Sequence, residues 1–183
     1  HFDFDESHAL HVAKLAKVLF QQTTDLHELE MHYETILYVA AVLHEIGLYI
    51  KETSYHKHSM YLIRNSELFG IGPTNLQLIS QVARYHRRAS PKQSHKPYMT
   101  LGRDQRVAVC KLAAILRIAV ALDASRTQRI ASIQVLQSNG SLVISTSDVH
   151  DLTHEQLALH QSGTLFEETY GLKVLFSIAR QES

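Results

Sequence analysis

The apolar residues of this chain change period once, near residue 126, and that change constrains the fold more than any other feature of the sequence. Up to about residue 125 they recur every three or four positions, the spacing of one buried helix face; beyond it they alternate, as strand residues do. Five helices are expected in the first part. Asp3 and Glu6 form a capping pair ahead of Val12, Leu15, Ala16 and Leu19. A second helix carries Leu37, Ala40, Ala41 and His44 on one stripe, with Gly47 placed to end it. The third is short, from His56 to Asn65. After the loop signals Gly70, Gly72 and Pro73, Thr74 starts a fourth with Ile79, Val82 and Ala83 inward. The fifth runs from Arg106 to Ala124 with Leu112, Leu116, Ala119 and Val120 inward.

In the second part, Ile130 to Leu136 and Leu142 to Ser145 flank Asn139-Gly140, a two-residue hairpin signal. A helix from Thr153 and a last strand from Leu172 to Ile178 complete a small α+β piece. The expected fold is therefore mainly α: a helical bundle over residues 1–126, then an α+β subdomain over 127–183.

The chain has 183 residues, 45% of them apolar, enough to fill a core. Positive and negative residues balance at 18 each, so bulk charge points neither to a nucleic-acid coat nor to a membrane. The longest apolar stretch, Val107 to Leu122, is interrupted by Lys111 and Arg117, and no membrane partner is expected. One cysteine, Cys110, set among apolar helical neighbours, excludes an intrachain disulfide framework and fits a reducing cytoplasm. The opening His1-Phe2-Asp3 lacks an initiating Met and begins mid-pattern, which suggests a piece of a longer protein.

The chemical signal is positional. His8, His44, His86 and Asp123 each continue the apolar stripe of a different helix, and Glu45 adjoins His44. Burying such groups costs on the order of 2–7 kcal/mol each unless they are paired, hydrogen-bonded or coordinated. A shared divalent centre would satisfy several together, since imidazole nitrogen and carboxylate oxygen suit Mg, Mn, Fe or Zn ions. The alternative is that each histidine bonds a nearby carbonyl. His56 and His58, two apart on one helix, cannot both face such a centre. The histidines at 11, 27, 32, 95, 150, 154 and 160 lie outside this pattern and are expected at the surface.

The order His8, His44-Glu45, Asp123 resembles the H…HD…D ligand set of the HD superfamily of metal-dependent phosphohydrolases. Glu45 stands where that pattern has aspartate, and its extra methylene carries the carboxylate outward by about one bond length. The resemblance then implies a degenerate site holding one ion or none. The segments 8–13, 40–47, 56–63, 64–68 and 82–88 more closely resemble the C-terminal region of the exopolyphosphatase and guanosine pentaphosphate phosphatase family. That resemblance implies an N-terminal actin-like domain, outside this chain, that cleaves the phosphoanhydride. It also implies polyphosphate or guanosine pentaphosphate as ligand, and a homodimer. With 7 glycines, no Gly-rich phosphate loop and no Gly-Lys-Ser/Thr sequence, the chain shows no phosphate-cleaving motif of its own.

Between Arg84 and Arg106 seven basic residues face one acid, Asp104, whereas the segment from Asp25 to Glu34 is acidic. Lys57, Arg64, Arg84, Arg87 and Arg88 are the expected phosphate-binding residues, because guanidinium groups grip phosphate oxygens in pairs. Aromatic residues do not alternate with these charges as base-stacking platforms do, so nucleic acid is not expected. Three functions follow: an accessory anion-binding domain of an exopolyphosphatase-type hydrolase, a self-standing metal-dependent phosphohydrolase, or a purely structural domain.

Overall fold

The computed structural model describes residues 4–180. Helix α1 (Glu6–Gln22) is capped by Asp5, whose carboxylate accepts the His8 backbone N–H at 3.0 Å. Asp3, the expected capping residue, lies outside the described residues. A one-turn helix α2 (Thr24–His27) leads to α3 (His32–Leu43) and a 3-10 turn (Ile46–Tyr49). Helices α4 (Tyr55–Arg64), α5 (Pro73–Arg84), α6 (Lys96–Met99) and α7 (Arg103–Leu122) follow. Pro73 rather than Thr74 opens α5, with its fixed φ in the first turn, where no intrahelical N–H bond is lost. Helix α7 begins three residues earlier than the spacing suggests, because the Gln105 side chain caps the Gly102 N–H at 3.0 Å.

Gly47 does not end α3, which stops at Leu43. Its role is contact: a Cβ there would lie 2.1 Å from the Tyr55 carbonyl oxygen and 2.4 Å from the Ser59 nitrogen. Only glycine lets α4 approach this turn so closely. Ser59 fastens the junction, accepting the Gly47 N–H and donating to the His44 carbonyl, both at 2.8 Å.

The second part is a three-stranded sheet in the order β1 (Gln134–Ser138), β2 (Ser141–Thr146), β3 (Lys173–Ile178). The first pair is antiparallel and the second parallel, with Val135 opposite Ile144 and Ile144 beside Phe176. Asn139 and Gly140 both take positive φ, 49° and 76° respectively, as a primed hairpin turn requires. Strand β1 starts later than expected because the N–H groups of Ala131 and Ser132 bond the Asp148 carboxylate, at 2.8 and 2.7 Å, instead of a strand. Two helices, α8 (Thr153–Ser162) and α9 (Thr164–Tyr170), replace the single one expected; they break at Gly163.

Helix α7 is the axis of the molecule. Every residue from Leu112 to Ala119 is buried, including Arg117, because α1, α3 and α5 cover one side and α8 and α9 the other. The buried apolar residues form one continuous cluster from Val12 on α1 to Phe176 on β3. Each fully buried Leu, Ile or Phe in it contributes about 1.5–3 kcal/mol. Among the described residues no helix is long and apolar enough to cross a membrane.

Candidate functional site

Three of the four aligned titratable residues stand just beyond helix ends rather than inside helices: His44 after α3, His86 after α5 and Asp123 after α7. The two histidines share one local device. His44 Nδ1 donates to the Ala41 carbonyl and His86 Nδ1 to the Ala83 carbonyl, each three residues back and each at 2.5 Å. A carbonyl only accepts, so Nδ1 carries the proton and Nε2 presents a lone pair in both rings. His8, in the first turn of α1, is fixed in the same tautomer: its Nδ1 lies 2.6 Å from Asp123 Oδ2. The rings adjoin, with centroids 5.8 Å apart for His8 and His44 and 4.8 Å for His44 and His86.

Among the described residues, His8 Nε2 and His44 Nε2 are buried and have no hydrogen-bond partner. They share a space with Glu45, such that one ligand atom from each of His8, His44 and Glu45 lies within 4.8 Å of the others. His86 completes its own bonding, its Nε2 lying 3.1 Å from the Tyr55 hydroxyl. Asp123 stands behind His8: its Oδ1 accepts the Gln128 backbone N–H at 2.9 Å and its Oδ2 the Gln128 side-chain amide at 3.2 Å. It orients the imidazole, the part that an outer carboxylate plays at histidine-bound metals. Glu45 is taken by Arg126, which donates Nη2 to Oε1 and, at 3.1 Å, Nη1 to Oε2.

Burial pushes the His44 imidazole down to about 4, and lowers His86 as well, so both are neutral and available as acceptors at neutral pH. Burial alone would raise the Glu45 and Asp123 carboxyls. The hydrogen bonds from Arg126 hold Glu45 below its ordinary value, and those from His8 and Gln128 do the same for Asp123. The donor set therefore fits a divalent ion at three atoms: two oriented imidazole lone pairs and one ionised carboxylate. The carboxylate already has a cationic partner.

A second feature lies on the far side of His86. Two adjoining clefts of about 410 and 300 Å³ share His56, Lys57, Arg87 and Arg88 in their walls. Arg84 and His95 complete the smaller one. None of the four basic side chains is ion-paired among the described residues. His56 is buried, its Nδ1 without a partner among the described residues, and burial together with the charges of Arg87, Lys57, Arg84 and Arg88 pushes it down to about 4. Two tyrosine rings hold the arginines in place: Arg87 lies 4.7 Å over Tyr55 and Arg84 5.0 Å over Tyr85. Arg117 of α7 anchors this wall, donating to the carbonyls of Tyr85 at 2.8 Å and of Arg88 and Ala89 at 3.2 Å.

The structure thus brings His8, His44 and Glu45 together, with Asp123 and His86 touching them from behind, and puts His56 with the cations instead. His58 is half-buried on α4, and its ring bonds none of these residues. Arg64 lines a separate cleft with Glu67 and Gln77. His27, expected at the surface, is fully buried: its Nε2 donates to the Phe20 carbonyl and its Nδ1 accepts the Leu29 N–H, both at 2.9 Å. His11 also turns inward, to the Ile130 carbonyl at 2.7 Å. Sequence reading missed Arg126, Gln128, Tyr55 and Arg117, which follow no stripe.

Fold and site together define a mainly helical domain with a buried histidine–carboxylate cluster beside a cation-lined cleft. The chain belongs to the Ppx/GppA phosphatase family, whose domain III pattern matches residues 1–163. It is 33% identical over 125 residues to a guanosine-5'-triphosphate,3'-diphosphate pyrophosphatase of Pseudoalteromonas atlantica, covering 64% of this chain and 24% of that protein. The protein of the same name from Aeromonas hydrophila is 34% identical over 128 residues, covering 69% and 25%. The chain therefore spans about a quarter of the length of these relatives.

Proposed function

We propose that this chain is the anion-binding accessory domain of a Ppx/GppA phosphatase, with the helical layer to residue 126 carrying the binding surface. The carrying observation is the pair of clefts walled by Lys57, Arg84, Arg87, Arg88 and the buried His56, where one carboxylate, Glu52, lines the larger cleft and, among the described residues, none of the four cations is ion-paired. Several fixed guanidinium groups and one imidazole suit a chain of phosphates better than a single small anion. The names of the relatives support a nucleotide polyphosphate such as guanosine pentaphosphate; inorganic polyphosphate offers the same oxygens. Hydrolysis falls, in this reading, to an actin-like domain outside the chain, in a homodimeric cytoplasmic enzyme.

The test is titration of the purified chain with guanosine pentaphosphate and with inorganic polyphosphate at low and high salt. Binding should weaken as salt rises. Replacing Arg87 and Arg88 together by alanine should weaken it about ten-fold or more, as loss of charge-assisted hydrogen bonds does. Unchanged affinity in that double variant would remove the reading.

A second reading is favoured by the unpartnered His8 and His44 Nε2 atoms. His8, His44 and Glu45 would hold a divalent ion, which would supply Lewis acidity and lower the pKa of a bound water. Phosphatase activity of the purified chain, lost in His44→Ala, would favour it over the first.

A further inference from the structure

The Glu45 carboxylate is 3% exposed and has one strong partner, the Arg126 guanidinium, which engages both of its oxygens and also lies 3.4 Å from Asp5 Oδ2. The same carboxylate is the only anionic member of the His8–His44–Glu45 group. The group thus brings one carboxylate, and one cationic side chain meets it on both oxygens. A guanidinium bridging both oxygens takes one lone pair on each and fills the edge of the carboxylate that would chelate an ion, and its charge repels a dication in a space with little water to screen it. The loop that delivers it is itself unusual. Arg126 and Gln128 take φ of 57° and 55°, left-handed values that only glycine adopts without cost. Both are held there by side chains reaching the cluster, Arg126 to Glu45 and Gln128 to Asp123. The extra methylene of glutamate completes the arrangement. It carries the carboxylate to 4.0 Å from His44 Nε2 and on to the arginine.

We propose that Arg126 is a built-in replacement for a metal ion: its guanidinium neutralises Glu45 and shuts divalent cations out of the His8–His44–Glu45 cluster. The cluster then serves as the rigid floor under His86 and Tyr55, and so under the cation-lined clefts. This inference does not depend on what the clefts bind.

The test is metal affinity, free of any activity. The purified chain is stripped with chelator and titrated with Co²⁺ and with Zn²⁺, by calorimetry and, for Co²⁺, by its visible absorption. Arg126→Gln keeps much of the side-chain length and removes the charge; Arg126→Lys keeps a charge. Arg126→Gln should bind one Co²⁺ per chain at least about ten-fold more tightly than the wild type, the scale on which groups around a metal act. Arg126→Lys should resemble the wild type, and adding His44→Ala to Arg126→Gln should abolish the gain. Wild-type binding as tight as that of a folded Arg126→Gln would overturn the proposal, as would a gain that survives His44→Ala. If Arg126→Gln does not fold, nitrogen NMR of the wild-type histidines decides. His8 and His44 Nε2 signals unmoved by Zn²⁺ uphold the proposal, and a shift at either one overturns it.

Discussion

His44 carries a pH dependence whose largest cause is its burial. Its folded pKa of about 4 lies below the ordinary imidazole value of 6.5, so the unfolded chain takes up this proton first as pH falls. Stability from this group is complete above about pH 6.5 and is lost progressively down to about pH 4, a displacement worth about 3 kcal/mol. Urea midpoints measured at steps from pH 7 to pH 4 should fall accordingly. A folded His44→Asn variant should show a shallower fall; an equally steep one would assign the acid sensitivity to other groups, among which His86 is shifted in the same direction. At this scale the sequence was half legible. His8, His44, His86 and Asp123 were visible because each prolongs an apolar stripe. Arg126 was not, since its reach to Glu45 depends on a left-handed turn at a non-glycine residue, which no periodicity announces. His27 was misread for a related reason: its partners are the carbonyl of Phe20 and the N–H of Leu29, made available only by the short turn of α2.

Between elements, α4 approaches the turn after α3 closely at Gly47, and this fixes the entrance to the site because Tyr55 and His56 begin α4. Gly47→Ala places a methyl carbon 2.1 Å from a backbone oxygen, a conflict that no side-chain rotation relieves. The expected cost is about 3 kcal/mol or more, read as a lower urea midpoint. An alanine variant as stable as the wild type would mean that α4 does not lie so near. Helices with a long apolar stripe were readable in place and type. The hairpin was readable from Asn139-Gly140, whose turn geometry leaves few alternatives. The one-turn helices α2 and α6 and the break at Gly163 were not, because a single turn has no period to detect.

At the scale of the molecule, the period change near residue 126 does not divide the apolar core, since α7 packs on both sides and the buried cluster crosses from one part to the other. Far-UV circular dichroism and tyrosine fluorescence should therefore report one coincident unfolding transition. One ion pair also fastens the segment after α7 to α8. Arg129, in the segment after α7, donates from Nε and Nη2 to Glu155 of α8, a residue with no exposed surface. Arg129→Ala leaves that carboxylate buried and unpaired, at an expected cost of about 3 kcal/mol, and Arg129→Ala with Glu155→Ala should recover part of it. A double variant no more stable than the single one would mean that the pair acts through packing rather than charge.

The three residues placed just past the ends of α3, α5 and α7 bring three helix C-termini to one spot. Each such terminus carries the equivalent of roughly half a negative charge, borne by peptide dipoles rather than by side chains. The preference of this region for a positive partner is thus written into the backbone, and replacing any single acid there would weaken that preference without erasing it.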